Sequence, residues 1–202
     1  MKGPTPIGLT QRLTRVEPHG ERRDSLALDW YPFLQALGRP WLALPNEPEM
    51  AVDLCARFDL GGLILTGGED IGLYSERDQT EAALLDWTRQ TSRPVIGVCR
   101  GFQFIRHWLG GRNLPVDPIV HRATTHEIEI EGQGRRVVSS FHNYAPELTG
   151  AVEDSLRPLA RCLADGADEA AVGPGLLGLM WHPEREAEPK AFDLKLFHQH
   201  LK

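Results

Sequence analysis

The spacing of apolar residues along the chain changes several times between residues 6 and 99. Short apolar runs at 6–10, 41–44, 62–66 and 95–99 suit buried strands. Between them, apolar residues recur at spacings of three and four. Leu26, Trp30, Phe33, Leu34 and Leu37 form one set, Met50, Leu54 and Phe58 a second, and Ala83, Leu84 and Trp87 a third. Each set marks one face of an amphipathic helix. Strand and helix in alternation predict right-handed crossovers and a parallel sheet covered on both faces. The second half reads differently. HEIEIEG, RRVVSS, LRPLARCLA and LLGLMW are short alternating or apolar stretches divided by Gly, Asp and Pro, which predicts antiparallel strands joined to the sheet. A closing helix is expected after Pro189, with Phe192 and Leu196 in one row and Leu194, Phe197 and Leu201 in the next. The expected fold class is α/β, a mostly parallel sheet flanked by helices with antiparallel additions. With no repeat and no low-complexity linker, residues 1–202 read as one domain.

Charge narrows the choice of ligand. Twenty-two Lys and Arg stand against 28 Asp and Glu, a net charge of −6, so a nucleic-acid partner is not expected, because that needs clustered positive charge. No apolar run is long enough to span a bilayer and no signal-peptide h-region follows Met1. The expectation is a cytoplasmic protein with no membrane partner. Cys55, Cys99 and Cys162 are odd in number and form no C-x-x-C pair, which favours neither disulfides nor zinc. No metal and no cofactor are expected, and His198-Gln199-His200 reads as terminal-helix surface.

One cysteine sits in unusual company. In RPVIGVCRGFQFI, Cys99 has Gly97 and Gly101 two residues to either side and falls where an apolar strand passes into a helix ended by Gly110 and Gly111. Ligands bind at the carboxyl ends of strands in open α/β sheets, and G-x-C-x-G fits the strained turn called a nucleophile elbow. The helix N-terminus there favours a thiolate, and backbone N–H groups can hold an oxyanion. Read alone, the segment also suits a small apolar residue closing a core strand. LLGLMWHPE delivers His182 to another strand end, with Glu184 two residues on, so imidazole and carboxylate can share a side. In GGLILTGGEDIGLY, Gly67 and Gly68 permit close backbone approach to an acyl group; Gly68 N–H and Arg100 N–H are the candidate oxyanion donors.

V-C-R-G-F-Q, L-T-G-G-E-D and M-W-H-P-E, in this order and spacing, resemble the class I glutamine amidotransferase superfamily, more narrowly its γ-glutamyl hydrolase branch (peptidase C26-like). The resemblance runs from G-L-T-Q-R at residue 8 to the terminal helix and implies a flavodoxin-like glutaminase fold. It implies Cys99 as nucleophile, His182 as proton relay, Glu184 as its orienter, and a glutamyl thioester hydrolysed by water. By the same resemblance Gln103 helps hold the glutamyl group. SSFHNYA places Ser140, His142, Asn143 and Tyr144 near the substrate; a loop histidine packing locally is the other reading of His142.

The family's usual asparagine is Arg106 here, and the region after T-G-G-E-D is short, which leaves the leaving-group pocket open. Arg12, Arg15, Arg22 and Arg23 form a basic stretch suited to phosphate, or equally a solvated, salt-bridged loop. T-Q-R, E-R-R-D-S-L and the compact length are similar to the γ-glutamyl-CDP-amidate hydrolases of capsule phosphoramidate synthesis. That similarity implies Arg12, Arg23 and Asp24 on the leaving-group side, although Asp24 would also serve to cap a following helix. The partner expected is a small γ-glutamyl substrate. A homo-oligomer stays open, and a synthase partner belongs only to the alternative of an ammonia-supplying glutaminase subunit. The other alternative is a hydrolase of γ-glutamyl-γ-aminobutyrate. A non-catalytic module is disfavoured by the three intact residues.

Overall fold

The structure, a computed structural model, describes residues 4–148 and 156–202. In chain order it runs β1 (Ile7–Leu9), β2 (Arg12–Val16), β3 (Glu21–Ser25), α1 (Trp30–Leu37), β4 (Trp41–Ala43), α2 (Pro48–Arg57), β5 (Leu63–Leu65), α3 (Ser75–Thr91), β6 (Val95–Val98) and α4 (Arg100–Trp108). It continues with β7 (Asn113–Pro115), α5 (Pro118–His121), β8 (Arg122–Ile130), β9 (Gly134–Phe141), β10 (Tyr144–Pro146), β11 (Arg157–Cys162), β12 (Asp168–Gly173), β13 (Leu176–Leu179), a 3₁₀ turn (Pro183–Arg185) and α6 (Ala191–His200).

Among the described residues, nine strands form one sheet in the order β4-β1-β5-β6-β13-β12-β11-β8-β9. The first five are mutually parallel and the last four alternate antiparallel. Counted by chain order, the parallel part has the 2-1-3-4-5 arrangement of doubly wound flavodoxin-like folds, whose switch point lies between the first and third strands. Side chains alternate across it. Ile64, Ile96 and Val98 pack with Trp30, Phe33, Leu34 and Phe197. Leu63, Leu65 and Val95 pack with Ala51, Leu84, Leu85 and Phe102 on the other face. The α/β class and the flavodoxin-like order of the parallel strands are thus as the sequence implies.

Several local expectations are corrected. LLGLMW forms β13, which runs parallel beside β6 instead of antiparallel. A strand buried on both faces has a continuous apolar run whichever way it points. In α2 the inward residues are Ala51 and Cys55, while Met50 and Phe58 face solvent; small side chains let this helix lie close to α3. The basic stretch is not an irregular loop but the β2–β3 hairpin, and α1 begins only at Trp30, so Asp24 caps nothing. His200 is half-buried, with its Nε2 3.0 Å from the Val95 carbonyl. Among the described residues no helix is long and apolar enough to cross a membrane.

Candidate active site

The elbow is built from glycines placed where side chains have no room. Cys99 links β6 to α4 at φ 51° and ψ −109°, a positive φ that is strained for a residue with a Cβ. A Cβ on Gly97 would stand 2.6 Å from the Gly101 backbone, and one on Gly101 would stand 2.1 Å from the Leu65 carbonyl oxygen. Strand and helix therefore approach to backbone contact, which turns the Cys99 side chain out at the carboxyl end of the sheet. Arg100 N–H is the first of α4 and has no intrahelical acceptor.

His182 follows β13 and meets Cys99 from the adjacent strand end. The imidazole and the Cys99 Cβ both come close to Gly67, the imidazole Nε2 has no hydrogen-bond partner among the described residues, and its Nδ1 lies 2.7 Å from Glu184 Oε1. Cys99, His182 and Glu184 are all buried. Burial alone would push the imidazole pKa down. The negative charge of Cys99, then that of Glu184, outweighs burial and raises it to about 9. Phe141 packs edge-on against the His182 ring at 5.6 Å between centroids, so the ring is held on two sides.

The third strand end brings Gly67 and Gly68. A Cβ on Gly67 would lie 2.8 Å from His182 Cε1 and 3.7 Å from Cys99 Cβ. A Cβ on Gly68, at φ 154°, would meet the Arg77 guanidinium at 2.1 Å. Behind these glycines is a buried network that sequence reasoning does not reveal. Arg77 donates to the carbonyls of Thr66 (2.8 Å) and Gly67 (3.1 Å), to Glu69 (2.8 Å) and to Glu81 (3.1 Å). Glu81 also accepts from Thr10 Oγ1 at 3.0 Å and from Arg100, which in turn pairs with Asp78. The Arg100 side chain is thereby turned inward, leaving only its backbone N–H toward the site. Spaced four apart on α3, Arg77 and Glu81 carry a weak signal, because the same spacing marks exposed helix salt bridges.

The other candidates divide. Gln103 is buried on α4 and donates to the Tyr144 carbonyl at 2.7 Å. Gln103, Tyr144, Asp70 and Arg112 line a cavity of about 390 Å³. Asn143 is exposed between β9 and β10. Ser140 and His142 are buried with their side chains turned the other way: Ser140 Oγ donates to the His121 carbonyl at 2.8 Å, and His142 faces Glu169. The local-packing reading of His142 is the one the side chain follows. Arg106 is buried and donates to the Glu147 carbonyl.

On the hairpin, Arg12 pairs with Ser25 and Thr14 with Arg23 in register, so Arg12 and Arg23 share a face and Asp24 takes the other. Arg12 and Ser25 border a small crevice that also touches Gly67 and His182. Arg12 is held by Glu69 at 2.8 Å, and Arg23 is bridged to Glu21 at 2.8 Å. Asp24 accepts from Asn46. Of the three, Arg12 alone lies beside the cysteine–histidine pair. Cys55 and Cys162 are buried elsewhere, and burial pushes the Cys55 thiol up to about 12. A larger cavity, about 560 Å³, lies at the amino ends of β6 and β13 between Thr88, Arg93, Trp108 and Gly175, at the opposite end of the strands from Cys99.

Known proteins place the chain. The Peptidase C26 family model matches residues 7–184. The γ-glutamyl-CDP-amidate hydrolase of Campylobacter jejuni subsp. jejuni serotype O:2 is 33% identical over 190 residues, covering 89% of this chain and 90% of that protein. A provisionally assigned GMP synthase component from Thermoplasma acidophilum superposes with a TM-score of 0.74 at 16% identity, over 100% of this chain and 94% of that one. A glutamine amidotransferase from Thermotoga maritima gives 0.67 at 16% identity, over 99% and 85%. Fold, family match and relatives agree: the chain belongs to the Peptidase C26 family of class I glutamine amidotransferase-like proteins.

Proposed function

We propose that the protein is a cysteine-dependent hydrolase of γ-glutamyl amides, and that its substrate is a γ-glutamyl-CDP-amidate cleaved to cytidine diphosphoramidate and glutamate. The observation that carries the chemistry is Cys99 on its strained elbow beside His182, both close to Gly67, with His182 Nδ1 2.7 Å from Glu184. In the first half-reaction the Cys99 thiolate attacks the γ-carbonyl carbon, and the oxyanion is held by the N–H groups of Arg100 and Gly68. The C–N bond then breaks and His182 gives its proton to the leaving nitrogen. In the second, His182 takes a proton from water, hydroxide adds to the thioester, the C–S bond breaks, and glutamate leaves. Glu184 holds the imidazole tautomer throughout.

The leaving group is assigned from two supports: the extent of similarity to the Campylobacter jejuni hydrolase, and Arg12 at the edge of the crevice, where a guanidinium suits a phosphate. The reaction fits a cytoplasmic step of surface-polysaccharide phosphoramidate synthesis and uses no partner. The test is glutamate release by the purified protein from γ-glutamyl-CDP-amidate, γ-glutamyl-γ-aminobutyrate and glutamine in parallel, with Cys99→Ala as control. Cysteine-dependent turnover of the CDP conjugate above the other two is expected. Preference for the aminobutyrate conjugate would move the protein to that hydrolase. Silence on all three would favour a glutaminase subunit awaiting a synthase.

A further inference from the structure

A second cluster of buried ionisable groups lies away from Cys99, where the antiparallel strands meet. His121 ends α5, His126 is on β8, His142 follows β9, and Glu169 is on β12. All four are buried, His121 and Glu169 completely. Glu169 Oε1 lies 3.3 Å from His121 Nδ1, 3.3 Å from His126 Nε2 and 3.4 Å from His142 Nε2. These contacts are long for hydrogen bonds, and none of the four atoms has a hydrogen-bond partner among the described residues.

The outward nitrogens explain which way the inner ones face chemically. His121 Nε2 is 2.8 Å from Asp165 Oδ2, His126 Nδ1 is 3.1 Å from the Val120 carbonyl, and His142 Nδ1 is 3.0 Å from the Tyr144 carbonyl. Each of these partners accepts and cannot donate when Asp165 is ionised, so each outward nitrogen carries the proton. In a neutral imidazole the inner nitrogen then presents a lone pair. Three lone pairs turned on one carboxylate oxygen are unfavourable unless a cation lies among them. Protonating one ring would pair it with Glu169 yet leave two lone pairs on the same carboxylate, and protonating all three would crowd three positive charges, with ring centroids only 4.7 and 4.8 Å apart.

We infer that His121, His142 and Glu169 form a three-ligand site for a zinc-class divalent cation, with His126 alongside the carboxylate. The spacing agrees. Zinc bonds of about 2.0–2.1 Å to nitrogen and oxygen put neighbouring donor atoms about 3.3–3.4 Å apart; Glu169 lies at that distance from His121 and His142, and the three donor atoms all lie within 4.8 Å of one another. A carboxylate or carbonyl on the far nitrogen of each histidine is the usual support behind such ligands. Water takes the fourth position. Its ligands tie the end of α5 and β12 to the turn whose Tyr144 carbonyl takes the Gln103 amide. The ion thereby clamps the segment beside the helix that starts at Cys99. His121 and His126 also come within 4.8 Å of Cys162, but Glu169 is the group that His121 and His142 share, and Cys162 borders the site without joining it.

The experiment is metal analysis of the untagged full chain purified without chelator, followed by removal of metal and titration with Zn²⁺ and with Co²⁺. About one zinc per chain is expected, together with the visible absorption of tetrahedral Co²⁺ and a melting temperature that rises on zinc addition. Glu169→Gln should lose at least about tenfold in zinc affinity, and Cys162→Ser should keep it. Because Glu169→Gln could fail to fold, the Co²⁺ spectrum of the wild-type chain stands as an independent reading. A wild-type chain that takes up neither ion and melts at the same temperature with and without zinc would overturn the inference. Zinc binding lost in Cys162→Ser but intact in Glu169→Gln would overturn the ligand set.

Discussion

Replacing Arg77 with methionine tests whether the buried network behind the glycines shapes the site. Arg77 is 1% exposed and reaches Thr66, Gly67, Glu69 and Glu81 with hydrogen bonds of 2.8–3.1 Å. Methionine keeps most of the stem's volume and removes every one of them. Removing one partner of a buried ion pair costs about 3–5 kcal/mol. Arg12 remains on Glu69 and Arg100 on Glu81, so neither carboxylate is stripped, and the lower end, about 3 kcal/mol, is expected. For a chain of this size that lowers the melting temperature by roughly 6–12 °C. The carbonyls of Thr66 and Gly67 lose their anchor, so the Gly68 N–H is no longer held for an oxyanion, and kcat should fall by about 10²-fold with a smaller change in KM. Calorimetry and steady-state glutamate release on the same preparation measure both. A variant that melts within about 2 °C of wild type and turns over within twofold would refute the reasoning.

Further outcomes follow from the same geometry. Gly101→Ala places a Cβ 2.1 Å from the Leu65 carbonyl oxygen, so the elbow must shift; a loss of about 1–3 kcal/mol in urea unfolding is expected, with activity falling further than stability. Glu184→Gln should leave folding nearly unchanged and cut kcat by about 10²–10⁴-fold, since the amide no longer fixes the imidazole or supports its charge. The His182 pKa is raised to about 9, and the leaving nitrogen needs the protonated ring. The basic limb of kcat/KM should therefore fall above about pH 9 rather than near 6.5, and in Glu184→Gln it should move to lower pH.

How much could be read in advance depended on whether a feature was local. Gly97, Cys99 and Gly101 lie within five residues, and the strand and helix on either side have clear periods, so the elbow is visible without a structure. His182 and Glu184 are as compact. Arg77 and Glu81 are not visible as buried, because charges four apart on a helix normally face solvent; only burial against Thr10 and Thr66 reveals their role. The histidine cluster was missed for another reason. Its members come from α5, β8, the end of β9 and β12, and become neighbours only after the antiparallel strands pair. β12 offers no hint by alternation, because Ala170 and Ala171 on its two faces are both buried. The hairpin arginines show the reverse error. Their charge is obvious in the sequence, yet each has a nearby carboxylate partner, and only Arg12 reaches the crevice.

The central claim is that Cys99 carries the glutamyl group, and the direct measurement is an acid quench during turnover of γ-glutamyl-CDP-amidate followed by intact and peptide mass spectrometry. A base-labile γ-glutamyl adduct on the peptide containing Cys99, absent in Cys99→Ala, is the predicted result. Undiminished glutamate release by Cys99→Ala, or an adduct mapped to Cys55 or Cys162, would contradict it.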